Sequence, residues 1–347
     1  MAELAAGRSS FRFSQPPVIC AWASAVGKKE GEGPLGRGFD GVFRDSLLGQ
    51  DSWEQGERAL QQTVLRRLLR KAGLSGEELG AVFSGDLLNQ CIASSFALRN
   101  SGIPHLGLYG ACSTMAEGLV LASMAVGGGF LRNAAAMASS HFCSCERQYR
   151  FPLGYGGQRT PTSQWTVTGA GALLLAPRGK GPRVRSCTLG TVRDLGLKDA
   201  NNMGCAMAPA ALQTICAHLE DLGREPADYD LIVTGDLGRV GLQMLLELAE
   251  RRGLQLGGRL QDCGAMIFSE DDRSVRAGGS GAGCSAAVLC SNLLRRLNTG
   301  SLKRILFCGT GALLSPLTTQ QKLPIPGICH AVAIEAPEEP ERKEEPL

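Results

Sequence analysis

The sequence predicts an α/β protein made of two copies of one strand-and-helix unit, stacked as alternating layers of helix and sheet. Three observations lead there. Apolar runs of strand length alternate with longer segments of helical period, the pattern that gives mixed, mostly parallel sheets covered by helices. Five such elements recur in the same order in the second half, at offsets of roughly 150 to 175 residues. Glycine is abundant, 46 of 347 residues, while aromatics are only 5%, which suits tight turns and closely packed backbones.

Composition also excludes functions. A formal net charge of +3 with 20% charged residues gives no electrostatic grip on nucleic acid. The opening residues, MAELAAGRSSFRFSQPP, have no apolar h-region and no small-residue cleavage site, so no signal peptide and a cytoplasmic origin are expected. The thirteen cysteines lie inside apolar elements instead of punctuating loops, which predicts a reducing compartment. Cys143-Ser144-Cys145 has the wrong spacing for a zinc site, and no acidic cluster has calcium-loop spacing. No apolar stretch approaches the length needed to span a bilayer, and no basic amphipathic helix of the interfacial kind is present.

In order, residues 1–16 read as an irregular arm and 17–26 as a strand followed by a Gly- and Lys-rich loop. Ser52 to Ala72 reads as a long helix, with Ser52 as cap, Glu54 and Glu57 in the first turn, and Leu60, Val64, Leu65, Leu68 and Leu69 on one apolar face. Gly73 ends it. Leu79 to Phe83 is a strand closing in Ser84-Gly85-Asp86, and 89–100 a helix. Leu106 to Tyr109 reads as a buried strand, Gly110-Ala111-Cys112 as a small-residue corner, and Ser113 onward as a helix stopped by Gly127-Gly128-Gly129. Asn133 to Ser139 is a narrow buried strand leading to His141. An irregular stretch, 145–167, then feeds the strand 168–177, whose glycines permit another backbone to approach closely.

The second copy begins near residue 181. The helix 208–222 answers the helix at 52–72, and 230–238 answers 81–88 with a Gly-Asp-Leu at the strand end in both. Gly283-Cys284-Ser285 opens a helix as Ala111-Cys112-Ser113 does, 302–309 answers 131–139, and 330–336 answers 169–176. The domains expected are thus an arm (1–16), a first half (17–180), a second half (181–336) and a polar, Pro-rich tail (337–347) that cannot bury a core.

Cys112 is the leading functional candidate, because it sits on a strand-to-helix elbow. The free N–H groups and positive end of the new helix would lower a thiol pKa and attract an anion. That geometry serves a nucleophile and a carboxylate-binding site equally. Ser113 and Thr114 add hydroxyls to the same helix start. Arg147, Arg150 and Arg159, in the irregular stretch, are suited to bidentate carboxylate recognition or are ordinary solvated charges. His141 either reaches the site or satisfies a buried backbone group. Asp86 either contacts a ligand or, like its repeat partner Asp236, caps the helix that follows.

A duplicated α/β chain with a cysteine at such an elbow resembles the thiolase superfamily of acyl-condensing enzymes. The resemblance implies a thiolase-like α/β/α/β/α five-layer fold with pseudo-twofold halves over about residues 15 to 336. The superfamily's second-half histidine belongs in the turn Gly278-Gly279-Ser280-Gly281-Ala282-Gly283-Cys284, which has none. Cys308-Gly309-Thr310-Gly311 is similar to a late thiolase Cys-x-Gly-Gly. Without a general base, condensation lacks the group that polarises the thioester or moves a proton.

Narrower strings resemble the stage V sporulation protein AD family. They are Gly85-Asp86-Leu87-Leu88-Asn89-Gln90, Tyr109-Gly110-Ala111-Cys112-Ser113-Thr114, Ser139-Ser140-His141, the 146–152 run ERQYRFP, the 158–171 run QRTPTSQWTVTGAG and the 309–316 run GTGALLSP. This resemblance implies non-catalytic binding of dipicolinic acid (pyridine-2,6-dicarboxylate) or its calcium chelate, with Ca2+ arriving only as part of the ligand and no other cofactor. It also implies work alongside the other SpoVA proteins, several of them membrane-embedded, in spore uptake and germination release. Association with the spore inner membrane would then be peripheral and through those partners. The ligand-binding set expected is Cys112, Asp86, His141, Ser113, Thr114, Arg147, Arg150 and Arg159. The alternative reading is an acyltransferase using Cys112, with Cys308 or His141 as base; a bare docking adaptor is the third. By analogy with the superfamily, a homodimer is expected through Asn133 to Ser139 or its neighbours.

Overall fold

The computed structural model describes residues 5–149 and 159–338. The first half contributes five strands, β1 (Val18–Val26), β2 (Val82–Gly85), β3 (His105–Gly107), β4 (Ala134–Ser140) and β5 (Gly169–Ala176). The second contributes β6 (Arg183–Thr188), β7 (Leu231–Thr234), β8 (Leu260–Asp262), β9 (Arg304–Ala312) and β10 (Gly327–Glu335). Their spatial orders are β3-β2-β4-β5-β1 and β8-β7-β9-β10-β6. Numbered within its own half, each is 3-2-4-5-1. In both, the first three strands of that order run parallel and the last two pair antiparallel. Agreement of order and direction together is the structural signature of the repeat seen in the sequence.

The half-sheets meet at one edge, where Val18 pairs with Arg183. Five helical elements pack on them: α1 (Trp53–Ala72), α2 (Thr114–Gly127), α3 (Met203–Leu222), α4 (Gly238–Glu250) and α5 (Ala282–Val288). α1 covers the outer face of the first half-sheet, with Leu60, Val64 and Leu68 wholly buried against Ala23, Met137 and Leu174. α3 and α4 cover the outer face of the second. Between the sheets lie α2 and α5; α2 touches β2 and β4 on one side and β9 and β10 on the other. One apolar cluster therefore runs through both halves, from Phe83 and Leu119 to Phe307 and Val332. The fit is backbone-close: a Cβ on Gly171 would stand 2.2 Å from the Ala286 carbonyl oxygen, so only glycine allows α5 to rest on β5.

Local signals explain α1 well. Ser52 accepts a hydrogen bond from the Gln55 N–H, and Gly73 closes the helix in the left-handed conformation. Elsewhere the structure corrects the sequence reading. The arm is not irregular, since Ser10–Arg12 pairs with β6 and Ala5–Ala6 folds back on it. β3 is a sheet edge instead of a buried strand, with Leu106 and Tyr109 about half exposed. The helix expected from residue 89 starts only at Ile92, because Gln90 and Cys91 adopt left-handed backbone. Phe142–Tyr149 is helical, and Trp165–Thr166 pairs with Gly279–Ser280. β4 is central, paired on both sides, so Asn133 to Ser139 offers no edge for a dimer. The tail beyond residue 338 lies outside the described residues.

The described residues include no helix long and apolar enough to cross a membrane, and no group of three His, Cys, Asp or Glu placed to hold a metal.

Candidate functional site

β3 leaves the sheet at Leu108 and turns through Ala111–Ser113 into α2. Ala111 is left-handed, φ 53°, a conformation that costs a residue with a Cβ about 1 kcal/mol or more and that brings Cys112 round to face the second half. Ser113 Oγ donates to the Gly110 carbonyl at 2.6 Å and Thr114 Oγ1 to the Ala111 carbonyl at 2.7 Å. Both hydroxyl protons thus hold the elbow's own backbone.

Cys112 forms part of the wall of a cavity of about 560 Å³. Gln148, Gln164, Thr166 and Asn201 give that cavity polar groups, and Met203 and Leu314 apolar ones. The second half supplies what lies against the thiol. Asp236, just beyond β7, is fully buried and accepts from Ser280 Oγ at 2.9 Å, the Gly281 N–H at 2.9 Å and Thr310 Oγ1 at 2.9 Å. Ser280 Oγ is itself 4.0 Å from Cys112 Sγ.

This arrangement overturns the expectation of an acidified thiol. Burial, followed by the neighbouring Asp236 charge, pushes the Cys112 thiol well above the ordinary range. A helix terminus offers about 0.3–2 kcal/mol to an anion, whereas complete burial of an ionised group costs several, so burial prevails. Asp236 is raised too, by the same burial, and Asp262 beside it is raised to about 6.

Of the residues expected at the site, Cys112 alone borders this cavity among those described. Asp86 is buried beneath α1; it accepts from the Leu88 N–H at 3.0 Å and from the Ser94 N–H and Oγ at 2.8 and 2.7 Å, holding the start of the 92–98 helix. A polar chain links it to a second buried carboxylate. Gln61 Nε2 donates to Ser94 Oγ and Ser139 Oγ, and Ser139 Oγ and Ser144 Oγ donate to Glu57 at 2.9 and 2.7 Å. Burial, with Asp86 nearby, pushes Glu57 up to about 8.

His141 Nδ1 accepts from the Cys143 N–H at 3.2 Å, which leaves Nε2 to donate to the Ser46 carbonyl at 2.7 Å. Burial lowers its pKa. Arg147 pairs with Glu54 and lies over the Trp53 ring, away from the cavity wall. Arg150 falls outside the described residues. Arg159 stands behind the wall, 3.1 Å from Glu146 and packed on the stacked rings of Phe142 and Trp165.

The sequence reading missed Asp236 and Ser280 as neighbours of the thiol, Thr310 as a partner of Asp236, and Glu146 and Gln164 as wall residues. The repeated Gly-Asp-Leu pointed at Asp236 but suggested a cap. Gln164 lay within the long 158–171 run without any spacing rule to single it out.

Solved structures of similar fold include 3-oxoacyl-(acyl carrier protein) synthases III and OleA proteins. Cerulenin-bound OleA of Xanthomonas campestris matches with a TM-score of 0.60 at 17% identity, covering 93% of this chain and 97% of that one. The 3-oxoacyl-(acyl carrier protein) synthase III of Xanthomonas oryzae pv. oryzae gives 0.58 at 16%, covering 94% and 100%. That of Aquifex aeolicus gives 0.54 at 14%, covering 92% and 99%. At these identities the likeness establishes the thiolase-like fold and nothing of the chemistry. In sequence, the chain is 42% identical over 329 residues to the stage V sporulation protein AD of Bacillus subtilis (strain 168), covering 95% of this chain and 97% of that one. The stage V sporulation protein AD family model matches residues 7–335, and the chain belongs to that family.

Proposed function

We propose that the protein binds pyridine-2,6-dicarboxylate, free or as its calcium chelate, in the cavity beside Cys112 and does not turn it over. The carrying observation is the thiol itself, buried beside the Asp236 carboxylate and raised in pKa, where a condensing enzyme needs a thiolate and a base. The ligand's identity comes from the family resemblance. The cavity is compatible with it: its size suits a small flat molecule, and its Glu146 is balanced by Arg159. Calorimetric titration of the purified protein with the diacid, with and without Ca2+, should give saturable heat that Cys112→Ala weakens, while acetyl-CoA gives none. Acylation of Cys112 by the thioester, with no heat from the diacid, would replace this reading with the acyltransferase one.

In the same reading the protein is a homodimer that docks on the membrane-embedded SpoVA proteins. The edge for self-association is β3, whose outer side is unpaired among the described residues, with Leu106 48% and Tyr109 53% exposed and Phe96 42% exposed on the nearby 92–98 helix. Sedimentation should show a dimer that Leu106→Asp converts to monomer; a wild-type monomer at tens of micromolar would defeat it.

A further inference from the structure

α1 turns a positively charged side outward. Its apolar side is spent on the first half-sheet, and its last two turns carry Arg66, Arg67, Arg70 and Lys71. Arg66 and Arg70, four residues apart, are exposed on one side of the helix, about 6 Å apart along its axis. The positions one turn back that could hold a relieving acid are Gln62 and Thr63. Residues 36–41 bring further charge to the same end of α1. Arg67 donates to the Asp40 carbonyl and lies beside Gly41, and Lys71 Nζ reaches the Trp22 carbonyl at 2.9 Å and Asp40 Oδ1 at 2.7 Å. Arg295, exposed on the Leu294–Asn298 helix, lies with its guanidinium 3.5 Å from where a Cβ on Gly38 would stand, and exposed Arg37 precedes that glycine. Asp40 is the one acid in this group, and its two oxygens are taken by Lys71 and the Ser24 N–H. Arg37, Arg66, Arg70 and Arg295 form no ion pair among the described residues.

Six cations against one acid leave a surplus of five, more than the +3 of the whole chain, so the protein's positive charge is concentrated here. Five of the six are arginines, whose planar fork takes phosphate oxygens in pairs. They are spread over two helices and a loop and so match an array of phosphates better than a single one. A platform for stacking bases is not provided: the aromatic side chain among residues 36–41, 66–71 and 294–298 is Phe39, and it is buried. We propose that this face holds the protein electrostatically on the headgroups of an anionic phospholipid bilayer. α1 does not insert, because its apolar side is already packed inside the protein. The attachment needs neither the ligand reading nor the dimer.

The test is cosedimentation of the purified protein with phosphatidylcholine vesicles that do or do not contain phosphatidylglycerol. Wild type is expected to bind only the anionic vesicles and to leave them at about 1 M NaCl, where the screening length is about 3 Å. Arg66→Gln with Arg70→Gln is expected to weaken binding about twentyfold while keeping the wild-type melting temperature. Arg251→Gln with Arg252→Gln, an equal charge loss at exposed positions after α4, is expected to bind as wild type does. Failure of the wild type to bind anionic vesicles overturns the inference without relying on any variant. So does an equal loss in the two double variants, which would make net charge and not this face responsible. Release by millimolar inorganic phosphate at constant ionic strength overturns it in favour of a single-phosphate site. Tighter capture by duplex DNA or polyglutamate than by the vesicles overturns it in favour of a polyanion of another class.

Discussion

Asp236→Asn should make Cys112 alkylate with iodoacetamide roughly tenfold faster at pH 8 than it does in the wild-type protein, followed by mass mapping of the peptide that carries it. The wild-type thiol is held neutral by burial and by the adjacent carboxylate, and only the second cause is removed by the substitution. Asparagine retains one oxygen to accept from Ser280 and Gly281 and offers an amide to Thr310, so the wall keeps its hydrogen bonds. With the charge gone, burial still raises the thiol but is opposed only by favourable groups, the Ser280 hydroxyl, the Gly281 N–H and the start of α2. An unchanged rate would mean that burial alone sets the thiol, and that Asp236 does no more than tie β7 to the start of α5.

The second large effect concerns pH. Glu57 in the folded protein titrates near 8, against about 4.5 in an unfolded chain. The native state therefore keeps a proton that the unfolded state has released. The stability this provides is fully present below pH 4.5 and is lost as pH rises through 8, a total on the order of a few kcal/mol. Glu30, raised to about 7, and Asp262, raised to about 6, push in the same direction. Melting temperature should accordingly fall between pH 5 and pH 8. Glu57→Gln should flatten part of that fall and melt several degrees above wild type at pH 8, because glutamine can accept from Ser139 and meet Ser144 without a charge to desolvate. Parallel wild-type and Glu57→Gln curves would show that Glu57 is not the group that releases the proton.

Glu57 also shows where sequence reasoning stops. Its spacing from Leu60, Gln61 and Val64 puts it on the inward face of α1, so its burial was legible. A first-turn acid satisfies the helix dipole equally well, and that local rule concealed the tertiary one. The duplicated order of elements, the caps of α1 and the elbow at Cys112 were all readable, because each depends on neighbours a few residues apart or on self-similarity. β6 was not: Arg183 and Arg185 alternate with buried Val184 and Ser186, but six residues between polar loops give little pattern. The meeting of Cys112 with Asp236 and Ser280 arises from the packing of one half against the other. No local periodicity encodes it.

That packing has a consequence for synthesis. α2 belongs to the first half by sequence, but one flank of it lies on β9 and β10. A ribosome adding about 5–20 residues per second needs on the order of 10–40 s to make the missing partner. For that interval Leu119, Val120 and Met115 have only part of their final surroundings, and the nascent first half is a natural client for a chaperone that shields apolar helices.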